Sequence, residues 1–328
     1  MISAGRAFHF RFETDGDKDA ITLWANDSVP PSGACEKNGD AGTAGACFKC
    51  RYAEDVSTLL DPLLFRGRAS DAPPVPPEAR VTLREIIAAC VNAKGLYFLR
   101  LAHLADAFGR ATGGLTDGVR TVLSVGCGEA YQEAFLAARL PHVEVVGTDL
   151  MLSPGRRFAL PNLRFERRDI LHWSDARGRG GFDFVFSIEC LEHIKDYRAA
   201  FLNMAAKARP GGFLYLSVPF ASRAEQQDEA LREYEWREHE HFLPGFTFED
   251  LEALFAEAQF DVLHASNMFR VPLASELNNL IDKMPAGSIE TALAEIGRLF
   301  LLDVDGRRVS SRADGSHGVR MLGRRRLR

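Results

Sequence analysis

A chain of 328 residues has room for one large domain or two modest ones. Its composition, 46% hydrophobic and 26% charged, is that of an ordinary globular protein, and a net charge of −5 gives no global field that favours nucleic acid. No apolar run reaches the about 18 residues that would suggest a bilayer span, and Met1-Ile2-Ser3-Ala4-Gly5-Arg6 lacks a signal peptide's apolar core, so the cytoplasm is the expected compartment.

The first residues alternate, with Phe8, Phe10 and Phe12 on one face and His9, Arg11 and Glu13 on the other. Asp15-Gly16-Asp17 then turns into Ile21-Thr22-Leu23-Trp24, which predicts a β-hairpin. Residues 27–46 are rich in Gly, Ala, Pro and Ser and read as loop. Cys47 and Cys50, with Cys35 ahead of them, have the spacing of a zinc knuckle but supply only three ligands. A structural Zn²⁺ there needs a fourth, such as His9 or Cys90; otherwise the three remain thiols. The proline-rich run after Asp71 is a stiff linker, dividing an accessory region, 1–77, from a main domain, 78–328.

The main domain opens with a helical stretch from about Thr82 to Ala111. Thr121-Val122-Leu123-Ser124-Val125 reads as a buried strand that ends in Gly126-Cys127-Gly128. Val143 to Thr148 is the next strand, with Asp149 at its carboxyl end. Phe165 to Ile170 puts Asp169 at the end of a third, and Phe182 to Ser187 is a fourth. Arg209-Pro210-Gly211-Gly212 leads into a fifth, Phe213 to Pro219. Residues 224–242 form a highly charged helical stretch, and Thr247 with Asp250 caps another helix. Phe260 to His264 is a sixth strand, 270–305 an inserted helical pair, and Gly318 to Leu322 a seventh strand. The arginines at 320, 324, 325, 326 and 328 read as a strand end and solvated terminus, or as a phosphate-binding tail.

A Gly-x-Gly turn beside an acidic strand end suits a nucleoside-bearing ligand at the carboxyl edge of a parallel sheet. A dinucleotide fingerprint would need a small residue where this chain has Tyr131, which argues against a nicotinamide cofactor. The succession strand-Gly-x-Gly, strand-Asp, strand-Asp-Ile, Phe-Asp-x-Val and Pro-Gly-Gly-strand resembles the class I S-adenosylmethionine-dependent methyltransferases over roughly residues 95–265. The resemblance implies an α/β fold, a Rossmann-like seven-stranded sheet carrying the N-terminal accessory region. It also implies a cofactor site: Gly126 and Gly128 under the methionine, Asp149 on the ribose, Asp169 on the adenine amine, Leu150 and Ile170 on the ring faces, and Ser187 beside them. The family's usual acidic residue is replaced here by Ser124, and its third glycine by Ala130.

Glu189, Glu192 and His193 follow the fourth strand at i, i+3 and i+4, so a helix starting there would converge them on one point. Two carboxylates and an imidazole suit Mg²⁺, Mn²⁺ or Fe²⁺. The same Glu-x-x-Glu-His arrangement is similar to that of the ubiquinone-synthesis O-methyltransferases and the small-RNA 2′-O-methyltransferases. In the latter a histidine after the fifth strand completes the site, and His241 stands in the corresponding place. The other reading is a metal-free pocket in which His193 or His241 takes a proton. The expected function is methylation of an oxygen on a small-molecule acceptor. The alternatives are methylation of an RNA ribose, disfavoured by the lack of a basic, aromatic-rich surface, and a non-catalytic S-adenosylmethionine-binding regulator. Composition and motifs leave the oligomeric state open.

Overall fold

The computed structural model describes residues 13–15, 18–20, 60–66, 95–152, 158–173, 181–270 and 316–327, with isolated positions between 75 and 86. Cys35, Cys47 and Cys50, most of the boundary near residue 77, and the expected helical insertion beyond residue 270 lie outside the described residues. In chain order the elements are β1 (Glu13–Asp15), β2 (Lys18–Ala20), α1 (Asp61–Leu64), α2 (Gly95–Thr112), β3 (Thr121–Val125), α3 (Tyr131–Arg139) and β4 (Glu144–Asp149). They continue with β5 (Leu163–Arg167), β6 (Phe182–Ile188), α4 (Tyr197–Lys207), β7 (Ala208–Pro219), α5 (Arg223–Gln227), α6 (Glu229–His239), α7 (Phe248–Glu257), β8 (Phe260–Arg270) and β9 (Ser316–Arg325). β1 and β2 pair antiparallel with Asp15 opposite Lys18, while the runs expected to form the hairpin's strands, Phe8 to Phe12 and Ile21 to Trp24, lie outside the described residues.

The main sheet has the order β5-β4-β3-β6-β7-β9-β8. β3 to β7 run parallel, and β9 runs antiparallel between β7 and β8. All seven strands expected from the sequence are therefore present. The central strands are apolar on both sides because helices cover both faces of the sheet. Val122, Phe184, Phe186 and Leu322 pack with Leu101, Leu104 and Phe108 of α2 and Phe135 of α3. Their neighbours in sequence, Leu123, Val185 and Met321, pack with Leu214 of β7, Phe201 of α4 and Phe255 of α7 on the other face.

Two buried acids hold the layers in register. Asp183, from the Phe-Asp-x-Val run, accepts the backbone N–H groups of Arg120 at 2.8 Å and Thr121 at 2.9 Å. Its other oxygen pairs with Arg209, so the starts of β3, β6 and β7 are joined through one carboxylate. Asp106 of α2 meets Arg320 of β9 at 2.8 Å, with both side chains almost wholly buried. Arg320 Nε donates to Ser266 Oγ at 2.9 Å, and Nη2 lies 3.1 Å from His264 Nε2. Burial and then the Arg320 charge push His264 down to about 3, so the ring stays neutral and can accept that bond. Arg110 also pairs with Asp106, at 2.7 Å.

Arg320 is thus an internal fastener, and its neighbours are engaged as well. Arg324 Nε donates to the Gly211 carbonyl, Arg325 to the Ala208 carbonyl, and Arg326 pairs with Asp261. Each of these arginines thus has at least one donor engaged by the sheet or by a residue of it. The Thr247–Asp250 capping box forms as expected, and Ser222 with Glu225 makes a second. Among the described residues no helix is long and apolar enough to cross a membrane.

Burial alone would raise the Asp106 carboxyl, but Arg320 and Arg110 outweigh it and hold the group below the ordinary 3.8. A depressed folded-state value stabilises above the unfolded one, so this contribution is complete above about pH 5 and is lost as pH falls through the acid range. Asp106→Ala, which strands a buried arginine, is expected to cost about 3–5 kcal/mol in urea unfolding at neutral pH. The deficit should shrink when the comparison is repeated at successively lower pH.

Candidate active site

At the carboxyl edge of the sheet, β3 ends at Gly126, whose φ is 77°. The N–H groups of Gly126 and Cys127 both donate to the Thr148 carbonyl of β4, at 2.8 and 3.0 Å. A Cβ on Gly126 would lie 2.3 Å from Cys190 Sγ, so the position needs glycine for its backbone angle and for its space. Gly128, with φ 44°, has nothing within 4 Å of where a Cβ would point. That side of the turn is open. Its N–H donates to Asp149 Oδ2 at 2.9 Å, and Asp149 Oδ1 accepts from Met151 N at 3.0 Å. Next to it the apolar side chains of Leu150 and Met151 are 57% and 77% exposed.

Asp169 lies just past β5 and accepts from His172 Nδ1 at 2.8 Å and Leu171 N at 2.9 Å, which together lower its pKa. Ile170 is buried beside it. Ser187 Oγ donates to the Val125 carbonyl at 2.8 Å, so the hydroxyl joins β6 to β3. Ala130 sits in the left-handed region with φ 65° at the start of α3, where glycine would be at ease. The acid missing from position 124 returns from the helix. Ser124 Oγ donates to Glu133 Oε1, and both residues are buried. An open turn, carboxylates following successive strands and uncovered apolar side chains suit S-adenosylmethionine, whose nucleoside offers hydroxyls, an amine and a flat ring.

The chain beyond β6 departs from the expected helix. Glu189 adopts a left-handed φ of 50°, and only Leu191–His193 makes a single 3-10 turn. Glu189 therefore shares no helical face with Glu192 and His193. It turns toward Arg100 of α2, 3.4 Å away, and accepts from Ser217 Oγ at 3.0 Å. The expected helical convergence of Glu189 with Glu192 and His193 does not form. Among the described residues, Glu192, His193 and His241 bring one ligand atom each within 4.8 Å of one another, without Glu189.

Glu192 is 1% exposed, and among the described residues neither carboxylate oxygen has a hydrogen-bond partner. Burial, then the nearby Glu189 charge, raises its pKa well above the usual 4.5. Burial and then His241 lower that of His193. The two imidazole rings meet edge to face at 4.6 Å. His241 Nδ1 lies 2.9 Å from Glu235 Oε2, a contact that no motif in the sequence announced. Cys190, between this cluster and the glycine turn, is pushed up to about 12 by burial and by Glu192, so it is a packing thiol and not a nucleophile.

An orphaned buried carboxylate with two imidazoles is a donor set that fits a divalent ion. With one oxygen ligand instead of two it fits Mn²⁺ or Fe²⁺ better than Mg²⁺. The same groups, without metal, could accept a proton. In either case they stand next to the glycine turn, since Cys190 packs on Gly126.

A family described as "Methyltransferase domain" matches residues 92–265, more than half of the chain. A protein of Deinococcus radiodurans named trans-aconitate 2-methyltransferase is 31% identical over 188 residues, covering 56% of this chain and 65% of its own length. One of the same name from Variovorax paradoxus is 28% identical over 218 residues, covering 57% and 82%. This chain thus spans a little under two thirds of the Deinococcus protein. A Coprinopsis cinerea protein named secondary metabolism regulator laeA is 38% identical over 95 residues, 29% of this chain and 23% of its own. The family match covers the glycine turn, both acidic strand ends and the Glu192–His241 cluster, and the chain belongs to the class I S-adenosylmethionine-dependent methyltransferases.

Proposed function

We propose that the chain transfers a methyl group to an oxygen of a small-molecule acceptor. The observation that carries this reading is the cluster in which the buried Glu192 meets the half-buried His241 and the exposed His193, packed through Cys190 against the Gly126 turn. The names of the Deinococcus and Variovorax relatives support a small organic acceptor. S-adenosylmethionine, when bound, supplies an electrophilic sulfonium methyl.

The remaining work falls to the chain's own residues. Gly126 and Gly128 let the backbone approach the methionine part, and Asp149 accepts from the ribose hydroxyls. Asp169 takes the adenine amine, while Leu150 and Ile170 cover the ring. In-line methyl transfer depends chiefly on alignment, so a rigid edge that holds both partners contributes most of the rate. The acceptor hydroxyl must also lose its proton. His193, whose pKa is lowered by partial desolvation and by the neighbouring His241, is able to take it, as is His241. Alternatively Glu192, His193 and His241 hold Mn²⁺, which when bound would supply a Lewis acid to lower the acceptor's pKa.

Glu192 bears on the regulator reading suggested by the Coprinopsis relative. Burying an unpartnered carboxylate costs stability, and a protein that only binds the cofactor has no use for one beside the turn. Methyl turnover with any acceptor decides between the two.

Asp149→Ala is expected to weaken S-adenosylhomocysteine binding by about 1.5–3 kcal/mol, the range for hydrogen bonds to a charged group. Unchanged affinity by calorimetry would remove Asp149 from the cofactor site. Glu192→Ala should cut turnover of an acceptor found by methyl-label transfer into fractionated extract, while cofactor affinity stays near that of the parent. EDTA should inhibit the parent, and Mn²⁺ should restore it. Activity that ignores EDTA would leave His193 or His241 as a simple base.

A further inference from the structure

Helix α6 buries one side chain, and it is an acid: of residues Glu229–His239 only Glu235 is withdrawn from water. A surface helix ordinarily buries an apolar stripe. Burying a carboxylate instead is unfavourable unless a partner compensates it. Here the partner is His241, with Nδ1 2.9 Å from Glu235 Oε2 and both side chains largely buried.

Local chain geometry produces the contact. Glu240 ends α6 in the left-handed region with φ 58°, and its N–H closes on the Trp236 carbonyl at 3.0 Å. The chain folds back, so the His241 N–H donates to the Glu235 carbonyl at 3.2 Å. His241 is thereby tied to Glu235 by backbone and by side chain. From the other side, the Phe242 N–H donates to the Glu192 carbonyl at 2.8 Å, which fixes this turn against the segment bearing Glu192 and His193.

We propose that Glu235 is a positioning residue for His241. It accepts the Nδ1 proton, holds the imidazole in that tautomer, and leaves Nε2 as the nitrogen with a lone pair. A neutral imidazole has one donor and one acceptor nitrogen, and the partner of the first decides the state of the second. A proton acceptor and a metal ligand both require that lone pair. The assignment rests on the role given to His241 above, yet it is separable from it, because the tautomer is observable without acceptor or metal.

The test uses the full chain, ¹⁵N-labelled at histidine, metal-free and saturated with S-adenosylhomocysteine at about pH 8, above ordinary imidazole titration. Long-range ¹H–¹⁵N correlation spectra, assigned with His241→Gln, report which ring nitrogen carries the proton. The parent is expected to show Nδ1–H. Glu235→Gln should retain it, because the amide oxygen still accepts, and Glu235→Leu should move most of the population to Nε2–H. Calorimetric titration with Mn²⁺ alone should show affinity falling by about 10–100-fold in the Leu variant, with S-adenosylhomocysteine affinity unchanged. If the Leu variant does not fold, Glu235→Ala carries the same expectation. An unaltered His241 tautomer in a folded Leu or Ala variant would overturn the proposal. A tautomer switch in a protein that takes no Mn²⁺ would uphold it and discard the metal.

Discussion

The ion pair between Asp106 and Arg320 sets the position of helix α2, and much of the candidate site follows from that position. Among the described residues Arg320 is the largest side chain fully withdrawn from water, and Asp106 meets it from the helix at 2.8 Å. Charges removed from solvent in this way tolerate little displacement, because each lost contact leaves an uncompensated ion. One and a half turns earlier on the same helix, Arg100 reaches Glu189. The pairing keeps Glu189 with Arg100 and Ser217, outside the cluster formed by Glu192, His193 and His241. A fastener between helix and sheet thereby selects which carboxylate is left unsatisfied.

The site itself is assembled by close approach. Gly126 has no Cβ, so Cys190 packs directly on the turn and draws the segment after β6 against the end of β3. The backbone bond from Phe242 to Glu192 then brings in the chain beyond α6. Three stretches distant in sequence converge at one sheet edge, the place where parallel α/β sheets ordinarily bind ligands. Glu192 is buried there with no hydrogen-bond partner among the described residues, an arrangement that costs stability and is typical of sites kept for chemistry.

The sheet was legible in the sequence because its strands are short apolar runs punctuated by glycine and acid, and all seven expected strands are present. The glycine turn and Asp149 were legible for the same reason: backbone demands leave few residue choices. What escaped detection was set by tertiary contact. Glu189 was read at helical spacing, yet its left-handed backbone breaks the period at its first residue. Arg320 falls in the expected seventh strand at the head of a basic run, and only the antiparallel register places it over Asp106. Glu133 stands in for the acid missing at Ser124, but a carboxylate one helix away leaves no local trace. Glu235 lies in a stretch where most residues are charged or polar, so burial of one acid changes no pattern.

The place of β9 has a consequence for how the sheet is completed. It is the last described strand in chain order, yet it lies between β7 and β8 and not at an edge. Residues 106 and 320, paired in the folded protein, are far apart along the chain. Until β9 arrives, β7 and β8 present unpaired backbone edges, and Asp106 faces an apolar layer without its partner. Long-range pairing of this kind forms slowly, and open strand edges invite association with other chains. During synthesis, which proceeds from the amino end, the half-sheet β5-β4-β3-β6-β7 can condense first. The interval before strand insertion is therefore the stage at which two strand edges of the sheet stand open together.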